Sequence, residues 1–294
     1  SQKILGLLFL NRKTAEMSQK SLNTLVEDIY GLFNPDESHT VNEENLRQFT
    51  ESLAETIRIR FQERISGFTL RFSNLGKQDR QIWYDAHGFQ KEELSSKTYF
   101  KFLYGDIIEA LLLFLAKEAG HDVTDEQKEL SCLGVKGHID AKIDGVVVDV
   151  KSASPFGFQK FKNHSLLEKD PFGYIQQLSG YSTVETPGEK AAFLACDKVS
   201  ADLTLMTLSP SVIAEHPPED RIKHLQEVIA SDTPPEKCFQ PEPDGKSGNM
   251  KLGTECSYCA HKFSCWPEVR TFIYSTGPRY LIKVVKTPEV YEVN

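Results

Sequence analysis

The sequence lacks any hydrophobic run long enough to span a bilayer. Residues 4–10 (ILGLLFL) form an apolar stretch, but Asn11-Arg12-Lys13 follows it with no small-residue cleavage site. A spanning helix needs about 20 apolar residues, so this stretch is read as a buried strand or helix, not as an anchor or secretion signal. An excess of basic charge is also missing. With 34 Lys and Arg against 42 Asp and Glu the formal net charge is −8, which excludes a protein that coats nucleic acid nonspecifically. Internal repeats and low-complexity tracts are absent. Cysteine is sparse, six in 294 residues, too few for a secreted disulfide framework. What is present, 39% hydrophobic and 26% charged residues, suits a globular chain with a full core and an intracellular, cytoplasmic setting.

The most informative residues are Asp149 and Lys151, at the end of the apolar run Gly145-Val146-Val147-Val148. Side chains alternate along a strand, so these two project from one face, and an adjacent antiparallel strand ending near Asp140 brings a second carboxylate beside them. Asp144-Gly145 is the turn between the strands. Two carboxylates and an ammonium suit a hard divalent cation such as Mg²⁺ or Mn²⁺, whose coordination is finished by water and substrate phosphates. Phosphodiester cleavage is the chemistry this implies. The alternative is a surface hairpin whose charges only face water.

Upstream, residues 104–116 read as a mostly buried helix with Glu109 inside its apolar sequence. A buried carboxylate needs a partner, which makes Glu109 a third candidate ligand, unless it falls on a narrow exposed stripe. Gly105, one turn earlier, leaves room for a close neighbour. Downstream, Gln177 and Tyr181 lie four apart on one helix face, where an amide and a phenol could position a nucleic-acid strand. Lys160 and Lys162, with Lys151 and Lys169, form a local basic strip interleaved with Phe156, Phe158 and Phe161. These aromatics either stack on bases or anchor the segment to the core. Arg80 is a candidate for phosphate contact or structural pairing, and His138 a candidate further ligand.

Taken in order, Gly105-x-x-x-Glu109, Gly137-x-x-Asp140, Asp149-x-Lys151 and Gln177-x-x-x-Tyr181 resemble the motif series of RecB-like nucleases in the PD-(D/E)XK superfamily. The resemblance covers roughly residues 70 to 270. It is closest to the phage exonucleases and CRISPR spacer-acquisition nucleases with a C-terminal cysteine cluster. It implies an α/β fold, a mixed central sheet flanked by helices. It further implies a DNA exonuclease acting from free ends in phage-type recombination, repair or replication, with proteins of those processes as partners. Glu109, Asp140 and Asp149 would hold the catalytic metal, Lys151 would orient the nucleophile or neutralise phosphate charge, and Gln177 and Tyr181 would position DNA. An endonuclease or nickase with the same residues, a non-catalytic DNA-binding module, and a hydrolase of small phosphate esters are the competing readings.

Cys256-x₂-Cys259-x₅-Cys265, with Cys238 upstream, offers four soft thiolates for one structural site. Spacing does not choose between Zn²⁺ and an iron–sulfur cluster. The tail is similar to the 4Fe–4S version of related nucleases, but those take their first cysteine from the segment before the Gly-x-x-x-Glu helix. Residues 75–84 here contain none, so Cys238 has to substitute. Cys132 and Cys196 sit in apolar segments and are read as core thiols.

The expected organisation is a mainly helical region over residues 1–100, a nuclease core over 101–230, a cysteine module over 231–270 and a C-terminal strand over 271–294 returning to the core. A helix over 43–64 presents Leu46, Phe49, Leu53, Ile57 and Phe61 as a packing face. A short strand is expected near 68–72, then strands near 127–133, 136–143, 146–151, 190–196 and 202–208. Residues 231–253 read as loop and residues 280–285 as a final, edge strand.

Overall fold

A mixed sheet lies between two helical layers in the computed structural model, which describes residues 20–62 and 67–293. The apolar stretch at residues 4–10 and Arg64, at the end of the first expected helix, lie outside the described residues. Among the described residues four α-helices precede the sheet: α1 (Leu25–Gly31), α2 (Glu43–Phe61), α3 (Asp79–Ala86) and α4 (Ser96–Glu118). Helix α2 starts where the Asn42 side chain accepts from the amides of Glu44 and Asn45. Acidic residues open it and Arg58 and Arg60 close it, in keeping with the helix dipole. It packs on α4 through Phe49, stacked on Phe114 with ring centroids 4.9 Å apart. Only part of the expected apolar face is used: Ile57 is exposed and Phe61 is 80% exposed.

The strands β1 (Val123–Thr124), β2 (Glu129–Cys132), β3 (Val135–His138), β4 (Ala141–Ile143) and β5 (Val146–Ala153) follow. After them come α5 (Pro155–Lys162), α6 (Tyr174–Glu185), β6 (Ala191–Asp197), β7 (Leu203–Leu208), α7 (Pro210–Ala214) and α8 (Pro218–Ala230). The central sheet has the order β1-β4-β5-β6-β7, with β5 and β6 parallel and the other pairs antiparallel. Asp144 and Gly145 have φ of 51° and 79°, the left-handed pair that a two-residue hairpin turn needs. Register therefore follows directly, with Ile143 opposite Val146 and Ala141 opposite Val148.

The parallel pair β5 and β6 carries apolar residues on both faces, as buried parallel strands do. Val147, Ala191 and Phe193 face the layer of α5, α6 and α8, while Val148, Val150, Ala192 and Leu194 face α1 and α4. Truncating the fully buried Phe193 to Ala would cost about 3–5 kcal/mol.

Several sequence expectations need correction. The strand expected over 136–143 is two strands, because the chain leaves the separate β2–β3 hairpin at Ile139-Asp140 before joining the central sheet. The strand expected at 68–72 reduces to one bridge, Arg71 to Lys136, before a 3₁₀ turn at Phe72–Asn74. The lysine-bearing segment after β5 is helix α5, capped by Ser154 with Pro155 at its first position. The loop at 231–253 carries two short strands, β8 (Glu242–Pro243) and β9 (Met250–Lys251). After them come α9 (Thr254–Ser257), α10 (Lys262–Cys265), β10 (Arg270–Tyr274), β11 (Gly277–Lys283) and β12 (Tyr291–Val293).

The expected C-terminal strand does not return to the central sheet. Strands β8 to β12 form a second sheet, β12-β10-β11-β9-β8, in which β11 is interior and not an edge. Its apolar residues Tyr280 and Ile282 pack with Leu252, Trp266 and two of the cysteines, so this sheet completes the cysteine region.

Candidate active site

Strand β5 places Asp149 and Lys151 on the face shared with Val147, and the Lys151 ammonium is ion-paired with the Asp149 carboxylate. Asp140 arrives from the link just before β4: its Oδ2 accepts from the Val150 amide at 2.7 Å, midway between the other two residues. Helix α4 contributes Glu109, whose Oε1 accepts from the Gln127 side-chain amide at 2.8 Å. The helix approaches β5 closely because Gly105 has no side chain; a Cβ there would lie 3.2 Å from Ser152 Oγ. Glu109, Asp140, Asp149 and Lys151 are thus brought together.

Their charges interact. Burial, followed by the Asp149 charge, pushes Glu109 up to about 7. Asp140 is raised well above the usual carboxylate range by burial and then by Asp149 and Glu109. Burial acts to lower Lys151, but Asp149 and Asp140 outweigh it and its pKa is raised. Three carboxylates with one ammonium leave negative charge uncompensated, which makes the oxygens hold protons. A divalent cation would supply the missing charge and displace those protons, so the donor set fits Mg²⁺ or Mn²⁺. Among the described residues no three candidate ligands are already posed around one point.

The Gln177–Tyr181 pair lies beside the cluster, within the field of Asp149, Asp140 and Lys151. Tyr181 is 3% exposed and stacked on Phe72 at 5.2 Å, and burial pushes its phenol up to about 12. Its hydroxyl accepts from the Gln177 amide at 3.4 Å. The ring rests on Gly137, where a Cβ would be 2.8 Å from Tyr181 Cε1 and 2.6 Å from Phe72 Cβ. Gly137 and Tyr181, two motif residues, are therefore halves of one packing contact, and half-buried Gln177 is the member left nearer the surface.

Of the basic strip, Lys160 shares a cleft with Lys151, and Lys162 does not line it. Phe158 and Phe161 are core residues, whereas Phe156 is exposed. Lys169 pairs with Glu255 at 3.6 Å. Arg80 is structural, bonded to the Pro235 carbonyl and the Tyr84 hydroxyl. His138 lies on the β2–β3 hairpin, where its ring is 3.7 Å from Glu129.

Two residues escaped sequence reasoning. Gln127, at φ 53°, belongs to an irregular segment with no periodic signal. Arg71 lines, with Glu109, Gln127 and Asp140, a cavity of about 550 Å³ under α2.

The four cysteines line one small cavity of about 40 Å³, and none is in a disulfide. Burial, then neighbouring Cys259 and Cys265, pushes the Cys256 thiol up to about 12. Cys238 and Cys259 are likewise raised, first by burial. Cys238 is hydrogen-bonded by the backbone of Arg80, within the segment that carries no cysteine of its own. The later thiol thus occupies the space beside that segment; four thiols on one cavity are the donor type that suits a soft metal or cluster, and among the described residues no three of them are posed around one point. Cys196 is buried in β6 and Cys132 is partly buried against the core.

No protein-family model and no curated protein matches this chain. Among solved structures it is similar to SSO0001, at 16% identity over 74% of this chain and 95% of that one, with a TM-score of 0.39. It is also similar to LHK-Exo in complex with dAMP, at 16% identity over 61% of this chain and 94% of that one, TM-score 0.36. The alkaline exonuclease LHK-Exo from Laribacter hongkongensis aligns at 15% identity over 53% of this chain and 91% of that one, TM-score 0.30. At these scores the likeness assigns neither family nor activity. No described helix is long and apolar enough to cross a membrane.

Proposed function

We propose that the chain is a divalent-metal-dependent deoxyribonuclease, acting as an exonuclease on DNA ends. The observation that carries this is the meeting of Glu109, Asp140, Asp149 and Lys151, with Glu109 and Asp140 raised by burial and mutual repulsion. The preference for ends rests on the motif resemblance to RecB-like nucleases.

Glu109, Asp140 and Asp149 are the residues that would hold Mg²⁺ or Mn²⁺, which when bound polarises a phosphate and acidifies water. The Val150 amide fixes the Asp140 carboxylate and Gln127 fixes that of Glu109. Lys151, held against Asp149, would supply the cation for charge that develops on the phosphate, and a preorganised ammonium costs no reorganisation during reaction. Cys238, Cys256, Cys259 and Cys265 form a structural site for a 4Fe–4S cluster or Zn²⁺, stapling a region with little core of its own.

The test is digestion of end-labelled linear DNA beside closed circular DNA with Mg²⁺, Mn²⁺ or neither. Metal-dependent loss of linear DNA alone is expected. Cutting of circles would replace the exonuclease reading with an endonuclease, and no cleavage under any metal would overturn both.

A further inference from the structure

Lys151 also lines a second cleft of about 210 Å³, together with Phe156, Lys160, Phe172, Tyr174 and Tyr258 among others. A water occupies about 30 Å³ of liquid, so the space admits a ring system. Its aromatic walls are left open to solvent: Phe156 is 79% exposed, Tyr258 75% and Phe172 46%. Phe172 holds the walls together, edge-on to Tyr258 at 5.7 Å and tilted against Tyr174 at 5.5 Å. Cations alternate with these rings. Lys151 Nζ lies 5.1 Å from the Tyr174 ring centroid and Lys160 Nζ 5.8 Å from that of Phe156.

We infer that this cleft binds the unpaired bases of a single-stranded DNA end. The inference rests on the nuclease reading for the strand's direction, because Lys151 belongs to both the carboxylate site and the cleft wall. Exposed aromatic faces interleaved with ammonium groups are the chemistry that recognises a single strand: bases stack on rings and phosphates meet cations. A duplex hides its base faces in its own stack and offers only phosphates. The cleft therefore selects a frayed or single-stranded end and leads it past Lys151. Tyr258 lies within the Cys256–Cys259 loop, so the cysteine region supplies one wall of the cleft.

The experiment measures binding without cleavage, by fluorescence anisotropy in buffer without added divalent metal. A labelled thymidine dodecamer is compared with a dodecamer of abasic sites, which has equal phosphate charge. Phe156→Ala and Tyr258→Ala are each expected to weaken thymidine binding by about fivefold to a hundredfold, the loss given by one base–aromatic stack. Abasic binding should stay within about twofold, and Phe156→Trp should retain thymidine binding with its fluorescence quenched. Tyr291→Ala, an equally exposed aromatic on β12, should change neither. Equal affinity for both oligomers in the wild type, or substitutions that weaken both alike, would overturn the inference. So would self-association that the substitutions abolish, which would make the cleft a contact between copies of this chain. Base-dependent binding with no cleavage under any metal would leave the cleft standing and defeat the nuclease reading instead.

Discussion

The Lys151 ammonium is held against the Asp149 carboxylate two residues earlier on the same face of β5. That contact adjusts a protonation that burial raises first, because Lys151 lowers the pKa of both Glu109 and Asp140 while Asp149 raises both. Substitutions at the two positions should move Glu109 in opposite directions. Asp149→Asn should bring Glu109 down from about 7 toward its ordinary carboxylate range, and Lys151→Met should push it higher. Carbon-13 titration of the glutamate carboxyl groups measures this, and shifts of the same sign in both variants would show that the groups do not share a field.

Stability without added metal should fall as pH rises. Glu109 has a folded pKa raised from an ordinary 4.5 to about 7, so between those values the folded state binds more protons than the unfolded state. Stabilisation is full below about pH 4.5 and is lost as pH passes through 7, by an amount on the order of 3 kcal/mol. Asp140 shifts in the same direction. Mg²⁺ or Mn²⁺ should raise Tm at pH 8 more than at pH 5, because metal must displace protons at the lower pH. Thermal melts at both pH values measure the difference; a metal effect larger at pH 5 contradicts the cluster's assignment.

Gly137→Ala should cost about 1–3 kcal/mol, the range for overpacking a filled core. The new methyl would meet both Phe72 and Tyr181. Urea unfolding checks the value, and a change under about 0.5 kcal/mol, small beside that range, would mean that Tyr181 does not rest on this glycine. Adding Tyr181→Ala should recover part of the loss.

Chain anaerobically purified should carry metal at the cysteines. Cys238→Ser should remove it as completely as Cys256→Ser, because both sulfurs line the same cavity. Iron and zinc content and visible absorbance report occupancy and identity. With the Cys256 thiol near 12 when no metal is bound, loading should release protons and weaken as pH falls. Full metal content in Cys238→Ser would remove Cys238 from the site.

Legibility in the sequence followed periodicity. Asp149, Lys151 and their distance from Asp140 could be read because strand side chains alternate and Asp144-Gly145 fixes the hairpin register. Glu109 stood out as a carboxylate in an apolar helix. Tyr181 shows what spacing leaves out: a spacing of four names a helix face but not what covers it, and Phe72 stacks on this one. Gln127 was silent because an irregular segment has no period to read. The interior place of β11 was equally hidden, since a strand's pattern does not name its partners. The domain boundary at residue 271 cuts through a sheet assembled from β8 to β12.

The central claim is that the carboxylate–lysine cluster cleaves DNA. The direct measurement is the single-turnover cleavage rate of end-labelled linear DNA in Mn²⁺, at saturating protein, for the wild type, Asp149→Asn and Lys151→Met. The account predicts that Lys151→Met slows cleavage by about 10²–10³-fold, as loss of one preorganised charge-stabilising group does, and that Asp149→Asn loses at least as much, with DNA affinity within about threefold of wild type. Undiminished cleavage by either variant would place the chemistry elsewhere in the molecule.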